Sequence, residues 1–121
     1  MLDSQNNGLV AKVAERFRAL GDENRIRILS LLTQGPANVT TLTRELKVNQ
    51  ASVSKHLGIL RQAGLVDFER QGAQSIYRIT DSSVENLCKL VCDGVITHAR
   101  LQHDALHGVS TPDDRATASV G

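Results

Sequence analysis

Aromatic side chains are nearly missing from this chain of 121 residues: it has no tryptophan, and Phe17, Phe68 and Tyr77 are the full set. Proteins that hold single strands or RNA loops stack bases on aromatic platforms, so this scarcity weighs against that mode. Two cysteines, Cys88 and Cys92, do not make a disulfide framework. No run of about 18 apolar residues occurs, so no membrane-spanning helix and no membrane partner are expected. The opening MLDSQNNGLV lacks both the basic region and the apolar core of a secretory signal, and the expected location is cytoplasmic. Catalytic signatures are missing too. There is no glycine-rich phosphate loop, no nucleophile elbow and no zinc-hydrolase motif, and the four histidines show no carboxylate pairing pattern, so no enzyme is expected.

What is present is an ordinary globular balance, 40% hydrophobic and 22% charged, in a length that suits one domain with a self-sufficient core. The formal net charge of +1 conceals an asymmetry. Residues 40–80 carry six Lys/Arg against three acids, whereas residues 81–121 carry three against six. A phosphate-contacting surface therefore belongs in the middle of the chain.

Hydrophobic periodicity orders the rest. Residues 1–8 and the small, polar tail 108–121 are expected to be disordered, leaving a domain over 9–107. Val10, Val13, Ala14 and Phe17 mark a first helix ending at Gly21. Asp22 caps a second, DENRIRILSLLTQ, whose Ile26, Ile28, Leu29, Leu31 and Leu32 leave it apolar nearly all round and expected in the core. Gly35-Pro36 stops it. A short third helix is expected over 40–46, capped by Thr40 or Thr41, with Leu42 and Leu46 inward.

After a tight connection, Lys47-Val48-Asn49, comes NQASVSKHLGILRQAG. Ala51, Val53, Leu57, Leu60 and Ala63 form its packing face, Asn49 its N-cap and Gly64 its stop. Gln50, Ser52, Ser54, Lys55 and His56 crowd hydrogen-bonding groups into its first two turns, a set suited to a DNA major groove. The pair of helices is expected to be a helix-turn-helix. Two β-prone runs around Leu65–Phe68 and Ile76–Ile79 follow, flanking Arg70-Gln71-Gly72-Ala73-Gln74, which reads as a hairpin wing with a basic, polar tip. Ser82-Ser83-Val84-Glu85 has the form of a capping box opening a last helix to about His107. Its stripe of Val84, Leu87, Cys88, Val91, Val95 and Ala99, widened by Leu90, Ile96, Leu101 and Leu106, needs a cover, and a second copy of the chain is the expected one. The fold class is thus mainly α with a small β-hairpin (α+β): a winged helix-turn-helix of five helices and a two-stranded wing, dimerising through its first and last helices.

ALGDENRIRILSLL (19–32), TLTRELKVNQASVSKHLGILRQAGLV (41–66) and ERQGAQSIYRI (69–79) resemble the ArsR/SmtB family of bacterial winged-helix repressors, with the similarity covering residues 9–107. The resemblance implies a homodimer on a palindromic double-stranded DNA operator, released when an inducer is sensed. It implies DNA contacts at Gln50, Ser52, Ser54, Lys55 and His56 and, on the wing, at Arg70 and Gln74. His56 can equally be read as a brace for the helix. A winged-helix module for protein–protein assembly, docking through the last helix, is the alternative of another class.

The family's best-known sensor motifs are not intact. Where arsenite sensors carry Cys-Val-Cys-Asp-Leu-Cys, this chain has Asn38-Val39-Thr40-Thr41-Leu42-Thr43. Where zinc sensors carry Asp-x-His and a later His-and-acid pair, it has Asp81, Ser83, Gly94 and Thr97. Cys88 and Cys92 remain, on one helical face at four-residue spacing, where As(III) or a soft divalent metal could bridge them. Cβ atoms so spaced are about 5–6 Å apart, and a disulfide wants roughly 3.5–4.5 Å, so an intrahelical disulfide is disfavoured. The same thiols also suit oxidation or persulfidation, and Cys88 is equally well explained as a small core residue, leaving a regulator with no thiol inducer. His98, His103 and His107 are weaker metal candidates on the same helix.

Overall fold

A computed structural model describes residues 6–107 of the chain; the expectations for residues 1–5 and 108–121 lie outside them. Five helices and three strands follow in the order α1 (Asn7–Leu20), α2 (Glu23–Leu32), β1 (Ala37–Asn38), α3 (Val39–Leu46), α4 (Gln50–Gln62), β2 (Val66–Gln71), β3 (Gln74–Ile79) and α5 (Ser83–His107). The chain divides into two compact units between Glu85 and Asn86, within α5.

The core of the first unit lies where the apolar stripes of α2, α3 and α4 meet the base of the wing. Ile28, Leu29 and Leu32 enter from α2, Leu42 from α3, and Val53, Leu57 and Leu60 from α4. Leu65 and Val66 close it at the start of β2. α2 is more one-sided than its sequence suggests. Ile26 is 47% exposed, because three buried positions already fill the face that the helix presents inward.

The wing is a hairpin pairing Val66 with Ile79 at its base and Gln71 with Gln74 at its tip. Gly72 and Ala73 make the turn, with Gly72 at φ 64° and Ala73 on the negative side, the pattern of a type II′ turn. Phe68 and Tyr77 face each other across the strands with ring centroids 5.2 Å apart, which places two of the three aromatics here. Behind them the sheet gains a strand that periodicity could not reveal. The two residues of β1 pair with β3, Ala37 with Tyr77 and Asn38 with Ile76, giving the order β1-β3-β2.

Helix ends account for the other departures. α3 starts at Val39 and is capped by Asn38, whose Oδ1 accepts from the Thr41 amide at 2.7 Å, so neither threonine is the cap. The Ser82–Glu85 capping box does not form. The carboxylate of Asp81 instead accepts from the Ser83 amide at 3.0 Å and from its hydroxyl, while also pairing with Arg16. α1 takes in Asn7 and Gly8, and of its residues Ala19 alone is buried, while Leu9, Val10 and Phe17 stay exposed. Among the described residues no helix is long and apolar enough to cross a membrane.

Candidate nucleic-acid interface

α4 is rotated by its core residues. With Val53, Leu57 and Leu60 fully buried, geometry turns Gln50, Ala51, Ser54, Lys55 and Gly58 outward. Ser52 sits half-buried at the margin, and Ala51 lies on the open face rather than the packing one. Asn49 caps the helix by accepting from the Ser52 amide at 2.7 Å. Gly58 has no atom within 4 Å of where a Cβ would lie, so its place on the exposed face leaves backbone approachable from outside.

His56 is different from its neighbours. Its side chain is 14% exposed, and Nδ1 lies 3.3 Å from Nη1 of Arg25 and 3.9 Å from Oδ1 of Asp22. Of the two readings open from sequence, the geometry favours the brace. Asp22 caps α2 by accepting from the Arg25 amide, and that bond, with lesser help from the Arg25 guanidinium, holds its carboxyl below the usual carboxylate range.

The turn between α3 and α4 carries Lys47 at φ 58°, among the described residues the one non-glycine with positive φ. A lysine holding a left-handed conformation that glycine would adopt more easily places a cation beside the N-terminus of α4. Arg70 and Gln74 lie exposed near the wing tip, opposite Ser75 and Gln71. Oε1 of Gln74 also accepts from Nδ2 of Asn38 at 3.1 Å, tying the wing to the cap of α3.

The carboxylates of this region choose their partners selectively. Arg61 pairs with Asp67 at 3.0 Å and lies 4.7 Å over the Phe68 ring, and Arg78 reaches Glu69 at 3.6 Å. The Phe68 amide, then Arg61, pulls the Asp67 carboxyl below its ordinary value. Within residues 39–79, Arg44, Lys47, Lys55 and Arg70 have no carboxylate partner among the described residues, as is true elsewhere of Lys12, Arg18, Arg25, Lys89 and Arg100. The unneutralised cations within 39–79 sit on the helix-turn-helix and the wing, where a phosphate backbone would meet them.

The sensor positions are occupied by structure. Asn38 and its neighbours form a helix cap and first turn. Asp81 is held below the ordinary carboxylate range chiefly by the Ser83 hydroxyl and amide, with Arg16 adding to them. Among the described residues no group of three or more His, Cys, Asp and Glu is arranged to hold a metal ion. Cys88 is half-buried and burial pushes its thiol up, while Cys92, one turn on, is exposed. His98 and His103 are exposed along α5, and His107 is its last residue. Sequence reasoning missed Arg16, Arg25 and Lys47; for Arg25 the available signal was its place three residues after the cap Asp22.

Comparison with known proteins agrees with this geometry. The family model for bacterial regulatory proteins of the arsR family matches residues 22–67. An uncharacterized HTH-type transcriptional regulator of Methanocaldococcus jannaschii is 42% identical over 81 residues, covering 66% of this chain and 91% of that protein. The HTH-type transcriptional regulator NmtR of Mycobacterium tuberculosis is 36% identical over 102 residues, covering 84% and 79%. The arsenical resistance operon repressor of Bacillus subtilis is 36% identical over 87 residues, covering 71% and 83%. Among solved structures, the homodimeric winged helix-turn-helix DNA-binding domain of a Mycobacterium bovis protein superposes with a TM-score of 0.71 at 31% identity, covering 84% of this chain and 93% of that one.

Proposed function

This chain belongs to the arsR family of bacterial regulatory proteins, and from that membership we propose that it is a homodimeric, cytoplasmic repressor that reads a palindromic operator. The observation that carries the reading is the outward face of α4, where Gln50, Ser54 and Lys55 are presented beside the unpaired cations Lys47 and Arg70. Gln50 and Ser54 suit base edges, and Ser52 at the helix margin, Gln74 on the wing, Lys55 and Arg70 suit phosphate. His56 acts from behind, supporting the helix. Two-fold symmetry would set the two copies of α4 about one turn of DNA apart. Salt-titrated binding tests this: Lys55→Ala weakens operator binding and lowers the salt slope by about one. Unchanged affinity and slope would remove Lys55 from the interface.

The second copy covers the apolar residues of α1 and α5. Leu9, Val10 and Phe17 on the first, and Leu90, Val91, Val95 and Leu101 on the last, are too exposed for a stable monomer surface, and the M. bovis neighbour is homodimeric. The inducer acts at Cys88 and Cys92, whose shared helical face suits a thiophilic metal or metalloid ion, with thiol oxidation or persulfidation as the second chemistry of the same pair. The accessible thiol of Cys92 favours entry from solvent, and the raised thiol of Cys88 calls for a ligand that displaces its proton. A Cys88→Ser, Cys92→Ser variant keeps DNA binding and loses release. Normal release of that variant by As(III), Cd(II), peroxide and sulfide alike would sink the thiol site.

A further inference from the structure

We propose that Arg25, which lies outside the helix-turn-helix, is the residue that positions the recognition helix. It bridges His56 of α4 to the end of α1 and dictates which ring nitrogen of His56 holds the proton. The proposal rests on the reading of α4 as the DNA-contacting helix.

All three guanidinium nitrogens of Arg25 are engaged. Nε donates to the carbonyl of Ala19 at 2.6 Å, Nη2 to that of Arg18 at 3.2 Å, and Nη1 lies 3.3 Å from Nδ1 of His56. The two carbonyls belong to the last turn of α1, where helical oxygens lack partners within the helix, so a cation there is favoured by both hydrogen bonding and the helix dipole. The backbone of Arg25 is fixed in turn by the Asp22 cap. A guanidinium has N–H groups on every nitrogen and no acceptor. His56 Nδ1 must therefore accept, and the proton of the neutral ring sits on Nε2. Asp22 Oδ1, at 3.9 Å, is beyond hydrogen-bonding distance and does not compete.

Core packing on α2, α3 and the wing sets the rotation of α4 about its axis; its tie to α1 is where the arginine acts. A cleft of about 220 Å³ opens between α1 and α4, lined by Arg18, Arg25, Ile59, Gln62 and Ala63 among others. The adjoining one, about 420 Å³, is crossed by Arg16, whose Nε donates to the Ala63 carbonyl at 3.2 Å. Beside the small buried contact of Ala19 and Ala63, two arginine bridges, Arg16 to the Ala63 carbonyl and Arg25 to His56, tie α4 to α1 and bear on the angle between them. His56 adjoins Lys55 and stands one turn after Ser52, so that angle governs where the reading residues lie. Because α1 also carries Leu9, Val10 and Phe17, a change at its apolar face reaches α4 through Arg25.

The test uses the full chain, wild type, Arg25→Lys and Arg25→Met, with duplex DNA selected by the wild type from a random pool and a scrambled duplex as control. Circular dichroism first establishes that each variant is folded. Binding to both duplexes is then measured over a salt series, and the ring nitrogens of His56 are read by ¹⁵N NMR. The expected result is a loss of about tenfold or more in preference for the selected duplex, with an unchanged salt slope and a wild-type ring protonated on Nε2. Arg25→Lys does not restore the preference, since an ammonium cannot span three acceptors. A salt slope lowered by about one in Arg25→Met and kept in Arg25→Lys would make Arg25 a phosphate contact and overturn the proposal. So would an unchanged preference, or a wild-type His56 carrying its proton on Nδ1. Should a variant not fold, the wild-type spectrum still decides the tautomer. Failure of the DNA reading itself shows separately, as a wild type with no preferred duplex.

Discussion

α4 and α5 carry apolar stripes of similar quality and meet opposite fates. In α4, Val53, Leu57 and Leu60 are entirely buried within the protomer. In α5, Leu90 is 70% and Val95 63% exposed, with Val91, Leu101 and Leu106 alongside. The same physical drive acts on both. For α4 it is met by α2, α3 and the foot of the wing, which frees the opposite face to point outward with a defined rotation. For α5 it is left unmet among the described residues of one protomer. The reading element thus holds its shape within one protomer, while the element bearing the two cysteines leaves its apolar residues exposed there, as the proposed dimer requires. A helix whose packing is unfinished in the protomer is a suitable place for an inducer to act, because any ligand there competes with or reinforces the contacts that finish it.

The comparison can be broken at either helix. Leu57→Ala leaves a cavity in a filled core and should cost about 2–5 kcal/mol, read as a lowered denaturant midpoint at unchanged slope. Val95→Glu should leave the helical circular dichroism intact but raise the dimer dissociation constant by about 100-fold, roughly 3 kcal/mol, seen by sedimentation. If Val95→Glu cost as much of the protomer's helical structure and stability as Leu57→Ala, the contrast would be false. Gly64→Ala is smaller: its φ of 80° disfavours a side chain, and the new Cβ would lie 3.1 Å from Nη2 of Arg16. A loss of about 1–2 kcal/mol is expected, with weaker operator binding through the displaced Arg16 bridge.

Acid gives the mildest effect and sharpens the comparison within the first unit. Asp22, Asp67 and Asp81 all have folded pKa values below their ordinary 3.8, so their ionised forms favour the folded state. That contribution is complete above about pH 4 and is lost as the pH falls through the folded values. Denaturant midpoints should therefore drop between about pH 4 and pH 2, and Asp81→Asn should flatten the drop.

Much of the reading half was legible in the sequence because its signals are local. The Asn49 cap, the Val53-Leu57-Leu60 spacing and the Gly64 stop need no knowledge of the rest of the chain. What was missed depends on distant partners. Asn38 became the cap of α3 because its strand pairs with Ile76 and its amide meets Gln74. The Ser82–Glu85 box was a sound local pattern that lost to Asp81, which Arg16 anchors from α1. His56 was ambiguous until Arg25, 31 residues earlier, took its Nδ1. For Cys88 and Cys92 the spacing could be read but the ligand could not, since spacing alone does not choose among metal, oxidant and sulfide.

On the proposed dimer, a reading helix finished within each protomer is deployed in pairs that α5 holds together. Sedimentation of the protein bound to a duplex selected by it, with a footprint of the same complex, tests this most directly. Two 13.1 kDa chains per duplex and protection of two half-sites about one turn apart are expected. A single chain bound with full affinity to one half-site would contradict the proposed dimer.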